Sequence, residues 1–456
     1  MKKNKSGKSV KSICVIGAWH LGCIVSACLA DMRNKVNVVD FDKNTIKNLQ
    51  SGNPPLFEPG LEKLIKKNLK LKRLNYFMNF QEALKNADLI FITFDTPVND
   101  KDKSDLRPIF NACNMIAKYS SNKKPYIVIS SQIPVGTSRI LKKYISRKNP
   151  ELSPCILYNP ENLRLGRAIN TFMKPDRIVI GEEKKGDAKK LLHLYKKIKS
   201  PKLVMNLKSA EMVKHALNSF LAVSVSFINE IANLCELTGA NINNVVTALK
   251  SDRRIGSEAF LNPGLGFAGG TLARDLQVLL STGRKHHVKT QMIKAAIDVN
   301  KRRTRDVLRK IKREFPKLKG LKGALLGLTY KPGTSTLRRS ISLMLASEMS
   351  KSGIKIRAYD PKVSKWDGKS SYKRFIKLCK DPYDAAKTAD FLILATEWPE
   401  FKSLNFGRIE RLMSTGSTNG RCPVLVDTKN ILNPEKIIKK GFNYIGTGVS
   451  FKRDEA

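Results

Sequence analysis

The sequence predicts an α/β protein: two doubly wound α/β domains joined by a long central helix and a helical middle domain. Three observations predict it. Short apolar runs alternate with helix-length segments over residues 12–205, a proline-free stretch at 207–239 reads as one helix, and the alternation resumes after residue 312. The expected divisions are a basic N-terminal tail at 1–11, a first α/β domain at 12–205, the central helix with a helical dimerisation domain at 206–312, and a second α/β domain at 313–450.

At 456 residues the chain exceeds what one hydrophobic core supports, so two or three domains are expected. In the first, ICVIG, KVNVVD, DLIFITF, YIVISS, CILY and RIVIG are strand candidates, rich in Val and Ile. Nearly continuous hydrophobicity of this kind suits a parallel sheet covered on both faces. TIKNLQSG and FNACNMIAKYS between them have the length of crossover helices. The central stretch begins with Ser209 as a candidate cap and Glu211 in the first turn, and stops at Gly239. From Ala216 onward it is apolar on most sides, the pattern of a helix buried between domains or across a dimer interface. GALLGL, IKIRAYD, FLILAT and VLVD are the strands of the second α/β domain, with helices at ISLMLASEMSKSG and around DPYDAAKTA.

Composition excludes several classes. The formal net charge of +45 invites a nucleic-acid reading, because cations that neutralise phosphates release counterions. The basic residues are, however, spread along the whole chain with no aromatic-interleaved motif, so specific nucleic-acid binding is not expected. A lysine-rich surface of this sign draws in small polyanions instead. No run approaches the ~18 uncharged apolar residues of a membrane span, and no membrane partner is expected. The basic start followed by ICVIGAWHLGCIVSACLA mimics an export signal, but Gly17, the Trp19-His20 pair and Gly22 interrupt it and VNVVDFD follows at once. Eight cysteines without a CxxC pair read as reduced thiols in a cytoplasmic protein, with no metal site.

ICVIGAWHLG is a strand-turn-helix with Gly17 for the tight turn and Gly22 for helix packing, and Asp40 closes the second strand. This fits a Rossmann-like dinucleotide fold whose acid takes a ribose hydroxyl and disfavours a 2′-phosphate, so NAD is preferred to NADP. Trp19 stands where such turns carry a middle glycine, which weakens the fingerprint. On the central helix Lys214 and Asn218 lie one turn apart within an apolar stripe. Either they form a structural polar network, or they aim an ammonium and an amide at a developing oxyanion. Glu161 follows a strand and an Asn-Pro turn, where open α/β sheets meet ligands; a helix-capping role is the alternative.

Taken in order, FEPGL (57–61), DTP (95–97), IPVGT (133–137), NPE (159–161), PDRIVIG (175–181), AEMVKHALNSFLA (210–222), FINEIANLCE (227–236), DRRIG (252–256), GFAGGTLARD (266–275), YKPGT (330–334) and YDP (359–361) resemble the UDP-glucose/GDP-mannose dehydrogenase family over residues 12–448. The resemblance implies an NAD-dependent enzyme acting on a nucleotide diphosphate sugar, assembled as a homodimer or higher oligomer. UDP-glucose oxidised at C6 toward UDP-glucuronate is the expected reaction. Lys214, Asn218 and Asp275 fall on the positions that stabilise the alkoxide and handle the proton or water, and Glu161 on the acid-base glutamate. Phe260, Leu261, Asn262, Pro263 and Gly264 would line the sugar pocket, Lys331 would meet substrate, and Arg254 would reach a neighbouring subunit's site. Gly17, Trp19, Gly22, Asp40, Thr96, Gln132, Arg274 and Arg338 fall on cofactor-facing positions.

Departures accompany the match. The family's glycine loop carries a nucleophilic cysteine, and this chain has Thr271 there; a hydroxyl is a poor nucleophile without a base. Gln132 replaces a threonine and Leu165 a second glutamate. Two alternatives therefore stand beside the two-step reaction: a single oxidation to an aldehyde or ketone, and a non-catalytic nucleotide-sugar-binding homologue.

Overall fold

The computed structural model describes residues 12–96, 104–366, 370–413 and 422–449. The expected N-terminal tail lies outside them, as does Pro97 of the DTP motif. The chain divides into two compact units, the first ending at Ala216 and the second beginning at Leu217.

The first unit is built on an eight-stranded sheet of β1 (Ile13–Ile16), β2 (Val36–Val39), β3 (Leu74–Phe77), β4 (Leu89–Ile92), β5 (Tyr126–Ile129), β6 (Cys155–Tyr158), β7 (Ile178–Glu182) and β8 (Lys202–Asn206). Their order is β3-β2-β1-β4-β5-β6-β7-β8, so the chain reverses direction across the sheet between β1 and β4. That switch opens a crevice at the carboxyl ends of the strands. The strands pair in parallel except where β6 meets β7, antiparallel through Tyr158 and Gly181. The parallel sheet expected of the apolar runs is thus present, with this one antiparallel entry.

The second unit repeats the plan with β9 (Lys322–Leu326), β10 (Lys355–Tyr359), β11 (Ile376–Leu378), β12 (Phe391–Leu394), β13 (Val424–Asp427) and β14 (Asn443–Gly446). The order is β11-β10-β9-β12-β13-β14, all parallel. Four strands escaped the sequence reading. β3 buries alternate residues only, β8 is an edge with Leu203 and Val204 exposed, and β11 and β14 are short edges. Apolar runs mark strands buried on both faces and understate such edges.

The central helix spans Leu207–Thr238. It starts two residues before the expected Ser209 cap, and the capping acceptor is the Asn206 side chain, whose Oδ1 takes the Ser209 N–H at 2.9 Å. Among the described residues it is the one helix long and apolar enough to cross a membrane. Its buried Glu211 and His215, however, are spent inside the first unit. Glu211 accepts the Gly136 and Ser138 N–H groups at 2.5 and 2.8 Å, satisfying the amino end of the Thr137–Lys148 helix. His215 Nε2 lies 2.8 Å from the Ile133 carbonyl. Glu211→Ala orphans the buried Ser138 N–H and the half-buried Gly136 N–H and is expected to lower stability by about 3 kcal/mol, with Glu211→Gln intermediate, as read by urea unfolding.

Candidate active site

The dinucleotide turn follows β1. Gly17 adopts φ 106°, and a Cβ there would lie 3.1–3.2 Å from Thr93 and Phe94. Gly22 is tighter, since its Cβ would stand 1.8 Å from the Gly17 carbonyl oxygen. The helix His20–Asp31 begins directly behind the turn with no side chain capping its amino end. Trp19, at the cap, has φ −78°, a conformation open to any residue, and its indole is 47% exposed. The missing middle glycine therefore costs no backbone strain. Asp40, beyond β2, holds the turn with Oδ2 on the Ala18 N–H at 2.5 Å and Oδ1 on the Asp42 N–H at 2.9 Å. Uncapped helix N–H groups, two obligatory glycines and an adjoining carboxylate suit a dinucleotide pyrophosphate and ribose. Thr96 and Gln132 are buried.

Glu58 and its partner His20 escaped the sequence reading. Glu58, buried, accepts the Gly166 and Ala168 N–H groups, both at 2.8 Å, and lies 3.1 Å from His20 Nε2. One carboxylate thus ties the dinucleotide helix to the loop after Glu161. The available signal was a glutamate inside FEPGL, where Pro59 and Gly60 fix a turn.

Glu161 and Lys214 meet within the first unit. The Lys214 ammonium, buried, donates to the Glu161 backbone carbonyl at 2.6 Å and lies 3.0 Å from Oε1. Glu161 Oε2 accepts the Leu163 N–H at 2.9 Å. Asn159 braces the loop by donating to the Val179 carbonyl and accepting from the Tyr195 hydroxyl, at 2.8 and 2.9 Å. A cavity of about 60 Å³ beside Glu161 is lined also by Leu21, Phe172 and Tyr195.

Asn218 and Asp275 meet within the second unit. Asn218 Nδ2 donates to Asp275 Oδ2, and both residues are buried. Asp275 lies one turn into the helix Thr271–Lys285, four residues after Thr271 and hence on its face. Thr271 itself is the first residue of that helix and exposed. The glycine loop before it is required: Gly266 and Gly269 have φ 101° and 80°, and the Gly269 N–H donates to the Arg339 carbonyl at 3.2 Å.

The remaining candidates scatter over the second unit. Leu261 and Gly264 are buried, Pro263 and Arg274 half-buried, and Phe260, Asn262 and Arg338 exposed. Lys331 places its ammonium 5.7 Å from the centroid of the Tyr330 ring. Arg254 projects into solvent, paired bidentately with Asp252 at 3.1 and 2.6 Å. That pairing lowers the Asp252 carboxyl pKa through hydrogen bonding.

The eight cysteines are all free. Burial pushes the Cys23, Cys113 and Cys155 thiols up to about 12, and those of Cys14 and Cys28 higher still. A thiol so raised is not a nucleophile at neutral pH.

Three family models match the chain. They describe the NAD-binding, central and UDP-binding domains of the UDP-glucose/GDP-mannose dehydrogenase family, over residues 11–199, 208–302 and 324–434. The chain is 35% identical over 448 residues to the UDP-glucose 6-dehydrogenase of Rhizobium meliloti (strain 1021), covering 96% of this chain and 99% of that one. It is 34% identical over 439 residues to the UDP-glucose 6-dehydrogenase of Rickettsia conorii (strain ATCC VR-613 / Malish 7), covering 96% and 99%. A solved UDP-glucose dehydrogenase from the hyperthermophilic archaeon Pyrobaculum islandicum superposes with a TM-score of 0.88 at 27% identity, over 98% of this chain and 100% of that one. With dinucleotide turn, buried polar groups and both sheets in place, the chain belongs to the UDP-glucose/GDP-mannose dehydrogenase family and is an NAD-dependent oxidoreductase acting on CH–OH donors.

Proposed function

We propose that this protein oxidises UDP-glucose at C6 to UDP-glucuronate in two NAD-dependent steps, without covalent capture of the aldehyde between them. One observation carries the reading: two buried donors four residues apart on the central helix, each supplied with an acidic group, Lys214 with Glu161 and Asn218 with Asp275. Buried polar groups cost several kcal/mol unless satisfied, and a site that stabilises an alkoxide is a use for them. The curated relatives named above support the substrate.

Bound NAD supplies a hydride acceptor; Gly17, Gly22, Asp40 and the amino end of the His20–Asp31 helix are the residues that would hold it, with Trp19, Thr96 and Gln132 beside it. The chain's own residues handle the oxygen and the proton. Lys214 and Asn218 donate to the C6 oxygen as it becomes an alkoxide, and Glu161 or Asp275, through water, takes the proton. The first oxidation leaves an aldehyde, and water adds to it to give the hydrate. Loss of a hydride and a proton from the hydrate leaves the carboxylic acid, so no thiol is needed for the balance. Thr271, an alcohol on the first turn of a helix, serves as a hydrogen-bond donor to the aldehyde or hydrate oxygen and not as a nucleophile. Phe260 to Gly264 line the sugar, Lys331 meets the substrate, and Arg254 reaches a second subunit.

A second copy is proposed as partner on the central helix. Phe220, Val223, Phe227, Glu230, Leu234 and Leu237 follow alternating spacings of three and four, the seam of a helix that packs on another helix. Phe220 and Leu237 are 70% and 75% exposed in the single chain. The eight free cysteines agree with a cytoplasmic location.

Purified protein with excess NAD and limiting UDP-glucose is expected to release two NADH per sugar and yield a product with the mass of the uronate. One NADH per sugar, with an aldehyde or ketone mass, would overturn the two-step route; no NADH with any of a panel of nucleotide sugars would overturn the enzyme reading. Iodoacetamide at neutral pH is expected to leave the rate within about twofold of the untreated protein, because none of the proposed site residues is a cysteine. An order-of-magnitude loss would show that a cysteine takes part. Phe227→Asp is expected to convert a dimer or larger oligomer into monomers by sedimentation velocity, and a wild-type monomer would sink the proposed interface.

A further inference from the structure

Inside the second unit, two helices face each other with matched polar stripes. The central helix presents Asn229, Asn233 and Glu236, and the helix Gln291–Glu314 presents Arg303, Asp306 and Lys310. The spacings are four and three on the first and three and four on the second, so each stripe runs along one helix face. Arg303 is 1% exposed and spends its guanidinium on three acceptors: Asn233 Oδ1 at 2.7 Å, Asp306 Oδ2 at 3.0 Å and the Gly264 carbonyl at 3.0 Å through Nε. Burial depresses its pKa from the usual arginine value, and the Asp306 and Glu236 carboxylates oppose that.

The loop at 264–267 is gripped along its backbone. The Gly264 N–H donates to Asn229 Oδ1 at 2.8 Å, while its carbonyl takes Arg303. Asn300, one turn before Arg303, accepts the Phe267 N–H at 2.8 Å and donates to the Phe267 carbonyl at 3.1 Å. Gly266 between them has φ 101°, and a Cβ on it would stand 2.2 Å from Asn300 Oδ1. Only glycine passes under that amide. At the other end of the seam, Lys310 pairs with Glu236 and donates to the Gly446 carbonyl at 2.9 Å, and Glu236 accepts the Gly448 N–H at 2.7 Å.

A buried ion-pair seam adds little stability over a well-packed apolar one, because desolvation offsets the Coulombic gain. Backbone recognition is something apolar side chains cannot supply. The geometry points to Arg303 and Asn300 as positioning residues for the sugar: they hold the backbone of the Gly264–Phe267 loop, and through it set the wall formed by Phe260 to Gly264. This rests on the proposed sugar-lining role of those residues. Neither Arg303 nor Asn300 touches substrate.

The test measures UDP and UDP-glucose binding by calorimetry, together with KM and kcat, in wild type, Arg303→Met, Arg303→Lys and Asn300→Ala. Arg303→Met keeps the length and removes the loop's charged donor, and Asn300→Ala releases the loop without touching the ion pair. Both are expected to weaken UDP-glucose binding and raise KM about tenfold, the scale of one charged or two neutral hydrogen bonds lost. UDP affinity and kcat stay within about twofold, the signature of lost ground-state contacts. Arg303→Lys recovers part of the effect by restoring a cationic donor. A lowered melting temperature with KM and UDP-glucose affinity unchanged in both variants would reduce the seam to a structural role and overturn the inference. Equal weakening of UDP and UDP-glucose would do the same. A wild type that binds neither UDP nor UDP-glucose would overturn the nucleotide-sugar reading itself, a result distinguishable from both.

Discussion

A helix apolar enough to span a membrane buries a series of polar side chains, and each must find a partner inside the protein. Glu211 takes the amino end of the Thr137–Lys148 helix, Lys214 takes Glu161, and His215 takes the Ile133 carbonyl. Further along, Asn218 takes Asp275 and Asn229 takes Gly264. An unsatisfied buried polar group costs more than a typical hydrogen bond gains. The loops that meet the central helix are therefore held by it, and they are the loops carrying the candidate chemistry. One constraint serves stability and positioning together.

The departures from the family pattern noted in the sequence, Trp19, Gln132, Leu165 and Thr271, lie outside this polar series. Trp19 enters the dinucleotide turn without strain because its φ is ordinary, whereas Gly17 and Gly22 admit no side chain. Thr271 begins a helix that also places Asp275, behind a loop with Gly266 and Gly269 at positive φ. Hydration of an aldehyde needs a positioned water and a base, which the retained carboxylates can provide.

Buried charge follows the same logic in the second unit. Arg303, Asp306, Lys310 and Glu236 lie between two helices where leucines would pack as well, and the reason to keep them is directional: guanidinium and amide groups recognise backbone carbonyls and N–H groups. The loop held by Arg303, Asn229 and Asn300 contains Gly266 at positive φ, which no side chain could stabilise from within.

By itself the sequence determined the fold class, the central helix and the dinucleotide turn, and it singled out Glu161, Lys214 and Asn218 as candidates; Asp275 came with the family resemblance. Hydrophobic runs, glycine spacing and polar residues stranded in an apolar stripe are local signals, and they survive in one dimension. The tertiary structure decided what those signals lack. The antiparallel entry of β7, the edge strands β3, β8, β11 and β14, and the start of the central helix at Leu207 depend on which backbone is adjacent and which face is covered. Glu58 beside His20, Asn300 on Phe267 and Arg303 on Gly264 join residues 33 to 39 positions apart. A charged side chain looks the same in sequence whether it is solvated on a surface or buried against a loop, because the difference is made by desolvation, and that exists only once the chain has folded.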